Sequence, residues 1–112
     1  MLTFIDTNRL GRENTASGEM TEVLNQHLCG AENVVGALRW LDSRRQFETE
    51  PLDKHQLIYV MDGKGQIRLN DQIYEVAKGA GVYLGPFETA VLKAKDHEQM
   101  KLFHLVVARV PE

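Results

Sequence analysis

Four histidines, His27, His55, His97 and His104, and sixteen Asp and Glu residues hold most of the proton-transfer chemistry open to this chain at neutral pH. His104 is the best placed. It lies in LFHLVVARV, where successive strand residues point to opposite faces. The even set, Met100, Leu102, His104, Val106, Ala108 and Val110, is apolar except for the imidazole. The odd set, Lys101, Phe103, Leu105, Val107 and Arg109, has a charge near each end and suits a face reaching solvent or a partner. An imidazole on the apolar face needs a hydrogen-bond partner or a ligand. We read His104 as the principal ionisable group of an interior pocket, a catalytic general acid or base. The plainer alternative is a core histidine bonded to a backbone carbonyl.

Glu50, in FETE, is the natural acidic partner, because a carboxylate beside an imidazole holds one tautomer and favours protonation. Alternatively, Glu48 and Glu50 share parity and form a solvated edge beside Arg44 and Arg45. Arg39 and Trp40 are adjacent and face opposite ways. An inward Arg39 would bind a carboxylate or phosphate with its planar fork, and an inward Trp40 would offer a stacking wall. Val35 and Ala37 share parity with Arg39, and Gly36 and Leu38 with Trp40, so the pattern does not choose.

A transition metal wants three or four converging His, Cys or carboxylate ligands. No two of the histidines stand in a His-x-His or His-x3-His relation, and a noncontiguous site from Glu50, His55 and His104 is the one open route. No metal and no cofactor are expected. His55 has parity opposite to Gln56 and is read as exposed or at an interface. Cys29 is the single cysteine, so no internal disulfide forms, and beside Gly30 it reads as a small hydrophobe. The string Gly63-Lys64-Gly65 lacks the frame and following helix of a phosphate loop and reads as a turn.

The elements that must position these groups are strands. Residues 55 to 92 read QLIYVM, D-G-K-G, QIRL, N-D, QIYEVA, K-G-A-G, VYL, G-P-F and TAVLKA, a strand-and-hairpin alternation at the spacing of a small all-β sandwich or barrel. Val34 to Leu41 is a further strand, LDSRRQ a turn and FETE a short extended piece stopped by Pro51. KAKDHEQMK is a polar turn before the final strand, which closes the sheet before Pro111. MTEVLNQ is read as a strand turning through CGAEN, although Met20, Val23, Leu24 and Leu28 also fit a short helix. Residues 1 to 18 form an arm or lead-in strand followed by a loop. Helix is expected to be limited to a turn or two.

At 112 residues the chain is one domain, 1–112, with ordinary hydrophobic (43%) and charged (26%) content. A net charge of −3 supplies no field for a phosphate backbone, so nucleic-acid binding is not expected. No apolar run is long enough for a membrane span and the first residues do not resemble a secretory signal, so cytoplasm is the expected location.

The segment QLIYVMDGKGQIRLNDQIYEVAKGAGVYLGP resembles the heart of the cupin family. Tyr59-Val60 leads to the Gly63-x-Gly65 turn that ends the family's first motif. Gly79 begins the second, and Pro86 sits in its proline turn. The likeness spans roughly 34–108 and implies an all-β jelly roll of two antiparallel sheets, RmlC-like, around an interior pocket. It also implies that Gln56, Ile58 and Val60 face inward, with Ala90, Leu92 and Ala94 opposite them. Gln56, Arg39, Trp40, Ile58, Val60, Ala90, Leu92 and Leu102 are therefore the expected substrate-binding set. Two small residues in the Ala90 set would leave room for an organic ligand. The family's metal ligands are replaced. Its two first-motif histidines fall on Glu50 and Leu52, or on Thr49 and Pro51; its glutamate falls on Gln56 and its second-motif histidine on Ala90.

The functional expectation is a small-molecule enzyme acting by general acid/base chemistry, an isomerase, lyase, dehydratase or cyclase on a small polar metabolite. A non-catalytic binding or sensory domain is the alternative. A metal-dependent oxygenase or isomerase with atypical ligands is a further one. Tyr59, Tyr74 and Tyr83 are expected between sheets or subunits, and the outward apolar residues predict a homodimer.

Overall fold

The structure, a computed structural model, describes residues 3–109. Ten strands dominate it: β1 Glu13–Thr15, β2 Gly18–Leu24, β3 Val34–Asp42, β4 Phe47–Glu48, β5 Lys54–Asp62, β6 Lys64–Leu69, β7 Gln72–Ala77, β8 Gly81–Leu84, β9 Val91–Ala94 and β10 Gln99–Ala108. They form a six-stranded sheet in the order β1-β2-β3-β10-β5-β8 and a four-stranded sheet in the order β4-β9-β6-β7, with every pair antiparallel. This is the expected all-β jelly roll.

The glycine turns work differently from the expected run of hairpins. Asn70-Asp71, with Asn70 in the left-handed region at φ 54°, does close a hairpin in which Leu69 pairs with Gln72. The turn at Gly63 instead carries the chain from β5 in one sheet to β6 in the other, and the turn at Gly79 carries it back from β7 to β8. Gly63 sits at φ 88°, and a Cβ there would run into the Gln99 carbonyl. A Cβ on Gly65 would meet the Lys93 carbonyl and the Met100 sulfur. These are sheet corners that only glycine fits. A hairpin and a corner look alike in sequence; which neighbour each strand pairs with separates them.

The strand reading of Met20 to Leu24 holds, followed by a one-turn helix, α1 Gln26–Cys29, N-capped by Asn25. The stretch after Leu10 is not all loop, because Glu13–Thr15 pairs with β2 as an edge strand. The last strand starts at Gln99, inside the segment read as a turn.

Parity along β10 is as expected as far as His104: Met100, Leu102 and His104 are buried while Lys101 and Phe103 are half-buried, but beyond it Leu105, Val106, Val107 and Ala108 are all half-buried and the two sets no longer differ. Val110 lies outside the described residues. A bulge between Lys101 and Leu102 leaves Met61 opposite no partner, so β5 stays in register with Val60, Ile58 and Gln56 pointing inward. Leu41, Ile58, Val60, Met100 and Leu102 meet Phe47, Ile67, Leu92 and Ala94 from the other sheet in one dry core. No helix among the described residues is long and apolar enough to cross a membrane.

Candidate functional site

Where β4 is only two residues long, the smaller sheet stops covering the larger one, and a cleft of about 460 Å³ opens between β2, β3 and the segment from Phe47 to Leu52. A single hydrogen-bonded line runs along its floor. The Arg39 Nε–H donates to His104 Nδ1 at 3.3 Å; His104 Nε2 meets Gln56 Oε1 at 2.8 Å; the Gln56 amide N–H donates to the Glu50 carbonyl at 3.0 Å. Arginine cannot accept, and this settles every role in the line. Nδ1 must offer its lone pair, so the proton of the neutral ring is on Nε2. Gln56 then turns its oxygen to the ring and its amide nitrogen to Glu50.

Phe47 reaches across from the smaller sheet to both ends of the ion-and-ring pair. The Arg39 guanidinium carbon stands 4.2 Å from the Phe47 ring centre, and the Phe47 and His104 rings meet edge-on with centroids 5.2 Å apart. Among the described residues Arg39 makes its one side-chain hydrogen bond through Nε, its two terminal nitrogens make none, and the residue lines the cleft.

Burial and the adjacent Arg39 charge both push the His104 pKa down, to about 4, so the ring is neutral at physiological pH. The guanidinium pKa is lowered by its own burial, a change opposed by Glu22 and Glu50, and arginine keeps its charge throughout. The sequence reading had Glu50 favouring protonation of His104. In the structure Glu50 touches the line through its backbone carbonyl, the exposed residue lines the cleft and acts on the Arg39 charge from a distance, and the charge acting on the ring is a cation.

The structure chooses Arg39 for the cleft. Trp40 is on the outer face, covered by Arg12 at 3.7 Å from its ring centre, and offers the cleft no wall. Ile58, Val60, Ala90, Leu92 and Leu102 do point inward, but into the dry core and away from the cleft. The volume expected beside Ala90 is filled by packing, and Ala90 is fully buried. His55 lies on the face opposite His104 and bonds Tyr83 Oη at 2.7 Å, so Glu50, His55 and His104 do not assemble. Tyr59, Tyr74 and Tyr83 are all exposed and none sits between the sheets. Arg44 pairs with Asp42, and Arg45 bonds Asn14 and Thr15, so neither accompanies Glu48 and Glu50. Sequence reasoning missed Phe47, Met20 and Glu22. The last two share strand parity on β2, and their cross-strand partners are Arg39 and Ala37.

The positions where the cupin likeness puts metal ligands do not fit a transition metal. Thr49 is buried with its hydroxyl oxygen accepting from the Ala90 N–H at 2.9 Å, Gln56 is committed to His104, and both imidazole nitrogens are taken. Among the described residues no group of three or more His, Cys, Asp or Glu side chains is arranged to hold a metal ion. The fixed cation beside the ring is a guanidinium.

No family model matches the sequence, and no curated protein does either. Solved structures do match by shape. The polyketide cyclase RemF from Streptomyces resistomycificus aligns with a TM-score of 0.82 at 13% identity, over 100% of this chain and 83% of its own. A predicted oxalate decarboxylase from Thermotoga maritima gives 0.83 at 11%, over 96% of this chain and 100% of its own. An RmlC-like cupin from Shewanella frigidimarina gives 0.75 at 13%, over 97% and 94%. At these identities the agreement concerns the backbone, and it extends over nearly the whole of this chain: the fold of this protein is the cupin jelly roll.

Proposed function

We propose that this protein is a cytoplasmic small-molecule enzyme of the cupin type. Its cleft receives a carboxylate, carbonyl or enolate oxygen on the Arg39 guanidinium, and it carries out isomerase, lyase, dehydratase or cyclase chemistry without a resident metal. One observation carries the reading: Arg39 lines the cleft, held by a neutral imidazole and an aromatic face, with its terminal nitrogens in no hydrogen bond among the described residues. A preorganised cation of this kind stabilises charge developing on a substrate oxygen as a neighbouring carbon loses a proton. His104 is then a positioning residue, its lone pair spent on Arg39, and the Glu50 carboxylate takes the proton. Names such as polyketide cyclase and predicted oxalate decarboxylase among proteins of this shape are compatible with chemistry on oxygen-rich carbon skeletons.

The test is solvent deuterium exchange, followed by proton NMR, over a panel of keto acids and sugar acids, with and without chelator. Exchange that survives chelation and falls about 10²-fold or more in Arg39→Gln supports the proposal. Exchange unaffected by Arg39→Gln, or abolished by chelation, overturns it. Arg39-dependent binding with no exchange selects the binding-domain reading instead, which the full commitment of both His104 nitrogens favours.

A further inference from the structure

The charges around the cleft define its ligand more narrowly than Arg39 alone. Among the described residues Arg39 is the only cationic side chain that lines it, whereas two carboxylates that line it also act on the Arg39 charge, Glu22 and Glu50. They stand on two sides. Glu22 is half-buried on β2, on the strand position opposite Ala37 and next to the Met20 position that faces Arg39. Glu50 is exposed on the segment from the other sheet, while Glu48, of parity opposite to the inward Phe47, points away. Neither Glu22 nor Glu50 is in an ion pair among the described residues, and no group there is arranged to hold a metal ion. Among the described residues Glu22 accepts a single 3.3 Å bond, from the Asn25 amide. Glu22 and Glu50 both act on the Arg39 charge from a distance, so the guanidinium and the carboxylates share one field.

This arrangement discriminates by ligand charge. A simple dianion that reaches Arg39 must pass carboxylates outnumbering it, and its second charge stays among them. A simple cation is drawn to the carboxylates and opposed at Arg39. A molecule carrying an oxyanion at one end and a protonated amine at the other meets a complementary charge at both, with its carbon chain against Met20, Val35, Phe47 and Leu52. We infer that the cleft is built for a zwitterionic ligand, an amino-bearing carboxylic acid whose carboxylate sits on Arg39 and whose ammonium lies between Glu22 and Glu50. The inference rests on the proposed role of Arg39 and adds the amine.

Matched probes test it. Glutarate, 5-aminopentanoate and pentane-1,5-diamine share a five-carbon skeleton and differ only in end groups, and ω-amino acids of three to six carbons vary the span. Binding is read by NMR titration of the isotopically labelled protein at low ionic strength, where these interactions are least screened. The expected result is that an ω-amino acid of this series binds at least fivefold tighter than the dicarboxylate and the diamine of equal length. Glu22→Gln combined with Glu50→Gln should erase that preference while leaving glutarate binding unchanged or tighter. Glutarate that binds through Arg39 as well as any ω-amino acid does overturns the zwitterion inference and leaves the Arg39 proposal standing. Binding of any probe that is indifferent to Arg39→Gln, or no binding of any of them, overturns both.

Discussion

Strands β3, β5 and β10 each run through two environments on the same inward face. Toward one end they present Leu41, Val60, Met100 and Leu102, and these are sealed against the smaller sheet with almost no exposure. Two to four residues further along they present Arg39, Gln56 and His104, and the same face turns into a hydrogen-bonded floor beneath an open cleft. The dry end is covered by β6 and β9, whereas the polar end meets only the two-residue β4 and its continuation. Tight apolar packing and side-chain hydrogen bonding are thus divided along the length of the same strands. The two ends should respond to perturbation by different rules, cavity cost at one and polar satisfaction at the other.

The largest effect belongs to the dry end. Leu102→Ala should lower unfolding free energy by about 2–5 kcal/mol, the range for an aliphatic side chain lost from a packed core. Chemical denaturation measures it. A loss under about 1 kcal/mol would mean that this end is not the tightly packed one.

At the polar end, acid should do what truncation does in the core. The His104 pKa is held down near 4 against an ordinary 6.5, so between those values the unfolded chain binds the proton that the folded one refuses. Stability is therefore fullest above about pH 6.5 and falls as the pH drops toward 4, by roughly 3 kcal/mol in all for a shift of this size. Protonation also places a hydrogen on Nδ1, facing the Arg39 Nε–H, and breaks that contact. His104→Gln should lose this part of the pH dependence when unfolding is repeated across the same range; an unchanged profile would assign the titration elsewhere.

Gln56→Leu keeps the approximate volume and removes both of the glutamine's hydrogen bonds, leaving the His104 N–H without an acceptor and the Glu50 carbonyl without its donor. It should cost about 1–3 kcal/mol and loosen Arg39 as well. A crystal structure or NMR spectrum of the variant showing the ring and guanidinium unmoved would confine the line's importance to Arg39 and His104.

The smallest effect on stability should come from the outer face. Leu57, Tyr59 and Tyr83 are each more than 40% exposed, and Leu57 pairs across strands with Tyr83. Such an apolar patch predicts that two copies meet there. Leu57→Glu with Tyr59→Glu should change folding by no more than about 0.5 kcal/mol per site while shifting the sedimenting mass from a dimer to 12.7 kDa. A wild type already at 12.7 kDa at tens of micromolar would remove the prediction.

The sequence by itself determined the sheet and its faces. Period-two alternation in LFHLVVARV needs only backbone geometry to be read and put His104 inside before any contact was known, and the cupin likeness added Gln56. The cupin-like spacing of Gly63, Gly65, Gly79 and Pro86 likewise anticipated the jelly roll, because glycine is demanded where another strand's carbonyl comes close, as at Gly63 and Gly65, or where φ is positive, as at Gly79. Parity, however, is a one-strand property. It could not distinguish a hairpin from a corner, choose between Arg39 and Trp40, or separate Leu102 in the dry core from His104 two residues on. Those questions depend on what the opposite sheet places above each residue, and on how far that sheet extends. Only the tertiary structure brought Phe47 over Arg39 and set Arg39 against His104 across 65 positions of sequence. It thereby made the imidazole a neutral acceptor where the sequence had suggested an acid or base, because a donor-only cation at 3.3 Å leaves the ring no other state to hold.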